Sequence, residues 1–129
     1  MEADAAPDIQ ARLEKLVEAL EFGHINQFRV IAMRSKGSTA RAYARTWNLP
    51  RIWQTALGVR PYYIIEVISH YFDPLSQEEQ DKVLIHELLH IPKTFSGALV
   101  PHTCFGKKID EKTVNSIYAE YRKKIGGRS

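Results

Sequence analysis

Apolar residues recur at helical spacing near both ends of the chain and alternate with polar ones between them. Ile9, Leu13, Leu16, Val17 and Leu20 form one stripe, with Asp8 placed to cap the helix and Gly23 to end it. Phe28, Val30 and Ala32 alternate with Arg29, Ile31 and Met33, which predicts a strand to Arg34, followed by a turn at Ser35-Lys36-Gly37-Ser38. A second period-two run covers 40–47. Arg51 to Leu57 reads as another short strand or part of a loop. Tyr62 to Ser69 is β-branched and aromatic, the best strand signal of the chain. Ser76, three residues before Glu79, opens a capping box, and Val83, Leu84, Leu88 and Ile91 continue that helix until Pro92 stops it. A loop with Gly97, Pro101 and Gly106 follows. Asp110 then caps a last helix whose stripe is Val114, Ile117, Tyr118, Tyr121 and Ile125.

This order predicts an α+β fold: a small twisted sheet of three or four strands, mixed or antiparallel, with helices packed on one face. Neither a repeat nor a linker divides the chain, so residues 1–129 read as one domain, frayed over residues 1–7 and 126–129. Within the helix that starts at Ser76, one stretch is chemical rather than structural. His86-Glu87-Leu88-Leu89-His90 reads H-E-x-x-H. Residues four apart share a helix face, so both imidazoles can aim at one cation, and Glu87 sits close enough to act as general base on a water there. Five His and ten Glu in 129 residues would give this pattern by chance roughly 0.015 times per chain. A zinc-dependent hydrolase is the leading expectation.

Catalytic zinc takes three protein ligands and keeps one position for water. The third metzincin histidine would fall on position 96, which is Ser96, so that class is excluded. His102 follows the helix stop by a loop long enough to return and is the expected third ligand. Glu111 is the runner-up, since it lies on the stripe of Val114, Tyr118 and Tyr121. His24 and His70 have no partner at ligand spacing. Cys104 reads as a small buried thiol before a ligand, and Tyr118 and Tyr121 as core residues before oxyanion donors.

Composition narrows the setting. The chain is 44% hydrophobic and 26% charged, ordinary for a globular domain. No apolar run is long enough to span a membrane, and no secretory signal opens the chain. A single cysteine fits a reducing, cytoplasmic location. The net charge is +3. Arg29, Arg34, Lys36, Arg41, Arg45, Arg51 and Arg60 stand in a window with no acidic residue. This raises nucleic acid as a partner, although a solvated basic face explains so small an excess better.

His86-Glu87-Leu88-Leu89-His90-Ile91-Pro92, with Pro101-His102 after it and the 62–69 strand before it, resembles the metallopeptidases of archaea and their viruses or phages. It is also similar to the wider SprT-like and minigluzincin group. The resemblance covers residues 28–105. It implies a zincin-like fold, zinc held by His86, His90 and His102, Glu87 as the catalytic residue, and a peptide or protein substrate. The SprT-like kinship implies activity near DNA, but the chain has no Cys-rich zinc ribbon. The alternative is a zinc-containing binding or regulatory domain without turnover, motivated by Tyr43, Trp47 and Trp53 among the arginines.

Overall fold

A computed structural model describes residues 2–104 and 107–126. In chain order the elements are β1 (Glu2–Ala5), α1 (Pro7–Ala19), a 3₁₀ turn (Gln27–Arg29), β2 (Val30–Lys36), β3 (Ala44–Asn48), α2 (Arg51–Leu57), β4 (Tyr63–Ile68), α3 (Ser69–Phe72), α4 (Gln77–Leu88), β5 (Thr103–Cys104), β6 (Lys107–Lys108) and α5 (Glu111–Gly126). The main sheet runs β1-β2-β4-β3. Its β2–β4 pair is parallel, while β1–β2 and β3–β4 are antiparallel. The fold is therefore α+β with a mixed, open, four-stranded sheet. β5 and β6 form a separate two-stranded ribbon.

Register assigns the faces. Val30, Ala32, Tyr63, Ile65, Val67 and Ala44 share one side of the pleat and are buried. They join Ile9, Leu13 and Leu16 of α1, Leu84, Ile85 and Leu88 of α4, and Val114 and Tyr121 of α5 in one core. On the opposite side, Ile31, Ile64 and Trp47 sit side by side across three strands, each more than a third exposed. The core helices α1, α4 and α5 thus pack against the first face, as expected from the order of elements.

Several local expectations are corrected. Glu2–Ala5 pairs with β2 as an edge strand instead of fraying; residues 127–129 lie outside the described ones. Pro7 begins α1 with Ala6 at the N-cap, and Asp8 turns instead to Arg34, whose guanidinium nitrogens lie 3.0 and 3.1 Å from its carboxylate oxygens. α1 ends at Ala19, before Gly23. Phe22 N–H reaches Val17 O and Glu21 N–H reaches Glu18 O, with Glu21 at φ 56°. That is a Schellman closure, and it places the left-handed residue two positions earlier than the glycine.

β2 starts and ends two residues later than its alternation predicted, running to Lys36. Gly37, at φ 71°, makes the turn. β3 likewise begins only at Ala44. Arg51–Leu57 is helical, opened by Pro50 and closed by Gly58 at φ 66°. β4 has a neighbour on each side, so β3 is the edge strand at this end of the sheet. Ser76 does cap α4, accepting from Glu79 N–H at 3.2 Å. That helix stops at Leu88, however, and His90 lies in the turn beyond it. His90 and Ile91 donate to Glu87 O and Leu88 O, three residues back, which tightens the chain ahead of Pro92.

Candidate metal centre

The last turn of α4 and the bend after it point three polar side chains into a cleft of about 850 Å³. The cleft is bounded by β3 on one side and the start of α5 on another, through Ala44, Thr46, Val114 and Asn115. His86, Glu87 and His90 line it, and His102 enters from the following loop. His86 Nε2 lies 3.3 Å from His90 Nε2 and 3.2 Å from His102 Nε2. One ligand atom from each ring lies within 4.8 Å of those of the other two. A tetrahedral cation with bonds near 2.0–2.1 Å separates its nitrogen donors by about 3.3–3.4 Å. The two separations from His86 match that spacing, so the three rings form a group that could hold a metal ion.

Two sets of bonds hold this geometry. His90 Nδ1 lies 2.6 Å from Val100 O, and Val100 N–H donates to His90 O at 2.7 Å. The first contact places the His90 proton on Nδ1 and leaves the Nε2 lone pair directed at the cluster. Upstream in the same loop, Tyr63 Oη accepts from Gly97 N–H at 2.8 Å and donates to Ala98 O at 2.7 Å. A buried β4 tyrosine thus fixes the loop that delivers His102.

Electrostatics follow from burial. Desolvation lowers His86 to about 4, reinforced by His90 and His102. Desolvation also lowers His90, against the opposing pull of its bond to Val100. Both rings are therefore neutral near neutral pH, the form that offers a lone pair to a metal. Glu87 is 8% exposed. Burial pushes its carboxyl up to about 7, opposed by a hydrogen bond from Thr46. Burial by itself thus brings this carboxyl toward proton exchange near neutrality.

The other candidates separate cleanly. Glu111 lines the cleft but stands outside the histidine cluster. Asp110 caps α5, accepting from Thr113 N–H at 2.9 Å. Tyr121 is buried in the core, and Tyr118 lies under the Lys82 ammonium at 5.3 Å; neither lines the cleft. His24 packs on Phe22 and His70 on Tyr71. The Cys104 side chain lies outside the described ones. Of the basic residues, Arg29 stacks on Phe95, Arg34 pairs with Asp8 and Asp73, and Arg45 pairs with Glu66. The residue that sequence reading missed is Thr46, forty-one positions from the glutamate it contacts.

No helix among the described residues is long and apolar enough to cross a membrane. No curated protein and no solved structure matches the chain. Residues 1–116 match the model of the family described as "Putative phage metallopeptidase". Such a family implies a metal ion and a peptide or protein substrate, and the three adjacent histidines are a group that could hold the ion. The chain belongs to the phage metallopeptidase family.

Proposed function

We propose that residues 1–129 form one zinc metallopeptidase domain in which His86, His90 and His102 hold the metal and Glu87 is the general base. The observation that carries this reading is the meeting of three imidazole nitrogens in one cleft with a buried carboxylate next to them. Their spacing suits zinc, and neutral imidazole is a preferred zinc donor. When bound, zinc supplies Lewis acidity, lowering the pKa of a coordinated water toward about 7 and polarising a carbonyl.

This chain's own residues do the rest. Glu87 takes a proton from the attacking water and returns it to the leaving amine. His90 keeps its orientation through Val100, and the core beneath α4 excludes bulk solvent from the Glu87 side. β3 offers its unpaired edge beside the cleft, where an extended peptide can add as a further strand. The finer kinship to the SprT-like and minigluzincin group rests on Ile91-Pro92 and Pro101-His102 and belongs to the same proposal.

Glu87→Gln is the direct test. It should retain zinc at the wild-type stoichiometry and lose cleavage of an unfolded protein such as casein by at least about 1,000-fold. A variant that cleaves as fast as the parent would remove Glu87 from the mechanism.

A further inference from the structure

Among the described residues, Thr46 is the one side chain that hydrogen-bonds the Glu87 carboxylate. Thr46 Oγ1 lies 2.9 Å from Glu87 Oε1 and 3.1 Å from the Glu87 main-chain oxygen. A hydroxyl has a single hydrogen, and an ionised carboxylate oxygen is the stronger acceptor, so that hydrogen goes to Oε1. Oε2 has no protein donor among the described residues.

The strand that carries Thr46 is held unusually well for an edge. Thr46 pairs with Ile65 in the β3–β4 ladder. Its two neighbours point to the opposite face and share one acceptor there. Arg45 Nε donates to Glu66 Oε1 at 3.1 Å, and Trp47 Nε1 donates to the same oxygen at 2.8 Å. Glu66 is 5% exposed, so this anchor is itself buried. β3 is therefore pinned on both sides of Thr46, and the hydroxyl meets Glu87 from a fixed position.

We propose that Thr46 is the positioning residue for Glu87: it fixes Oε1 and leaves Oε2 as the oxygen that carries the proton during peptide hydrolysis. The inference rests on the peptidase reading above. It divides the work of one carboxylate between its two oxygens. In each turnover Oε2 gains a proton from the attacking water and loses it to the leaving nitrogen, while Oε1 stays an acceptor from Thr46. A buried carboxylate without this tether has a second torsion free to turn, and a misplaced base costs rate without costing substrate affinity.

Thr46→Val keeps the shape and the strand preference but removes the hydroxyl; Thr46→Ser keeps the hydroxyl. Both are compared with the parent as zinc-loaded protein, on a quenched fluorescent peptide selected from a mixed pool by parental cleavage. Zinc content should be equal in all three. For Thr46→Val, kcat should fall about 10- to 100-fold with KM within about twofold. Thr46→Ser should recover kcat to within a few-fold of the parent. Crystal structures should show the Glu87 carboxylate turned away in the valine variant and in place in the serine variant. Parental kcat in Thr46→Val, failure of serine to rescue, or an unmoved carboxylate would each overturn the proposal. If the parent itself cleaves nothing, the peptidase reading falls, and the crystal structures still decide whether Thr46 holds the carboxylate.

Discussion

The closeness of His86, Glu87 and His90 is legible because they lie within four residues at the end of α4, where a tighter turn carries the helical winding on through His90. Their surroundings are set by distant chain. Val100 fixes the His90 ring across ten residues, and Thr46 meets Glu87 across forty-one. No local pattern encodes that second contact, because it depends on how β3 registers against β4. His102 is readable only as the next histidine after the helix stop, on a loop long enough to return to the site. His102→Ala should weaken zinc binding by more than about 100-fold, measured by competition with a chromophoric chelator, whereas Glu111→Ala should leave the affinity unchanged. Loss in Glu111→Ala with affinity kept in His102→Ala would move the third donor to the acid.

Elements were harder to place than residues. Existence and type agree for α1, α4, α5 and the strands β2, β3 and β4, where apolar spacing reports a buried face. α2 was misread because Ile52, Trp53 and Leu57 all face solvent, at 73%, 57% and 60% exposure. A helix without a buried stripe leaves no period to read; the signals that remained were Pro50 at its start and Gly58 after its end. The end of α1 was misplaced for a related reason. The left-handed position that glycine favours is occupied by Glu21. Replacing it should therefore help: Glu21→Gly should raise stability by about 0.5–1 kcal/mol in urea unfolding, and a loss would contradict the Schellman assignment.

The loop 93–102 is an element in its own right, and Tyr63 is its anchor. Tyr63→Phe strands a buried Gly97 N–H and an Ala98 carbonyl, at a cost of about 1–3 kcal/mol. It should also weaken zinc binding, because His102 is carried by the same loop. Gly97 adds a steric constraint: at φ 94° a Cβ would meet Leu49 O at 2.6 Å, so Gly97→Ala should lower Tm as well.

For the whole molecule, the sequence pointed to helices on one face of a small sheet, and the register confirms that face by burying Val30, Ala32, Tyr63, Ile65 and Val67. It did not reveal strand order. Pairing β2 with β4 in parallel leaves β3 at the edge beside the cleft, and only long-range packing decides that. The same packing joins α1, β2 and the end of α3 through Arg34, which reaches Asp8 and Asp73. The Arg34 guanidinium holds Asp8 below its ordinary value of 3.8. The pair's contribution is therefore complete above that value and is lost as pH falls through the lower folded-state value. Arg34→Ala should cost at most about 1 kcal/mol near pH 6, and the difference from the parent should shrink as pH falls below 3.8 in pH-resolved thermal melts. A gap that widens on acidification would reverse the assignment.

The central claim is that three histidines and one glutamate form a working zinc site. It is tested most directly by counting metal and turnover on the same samples: metal per chain by elemental mass spectrometry, with casein cleavage, before chelation, after chelation and after zinc is restored. One zinc per chain that is lost to chelator together with cleavage, and regained with it, is the expected result. Cleavage that persists in metal-free protein, or full zinc in a His86→Ala/His90→Ala double variant, would contradict it.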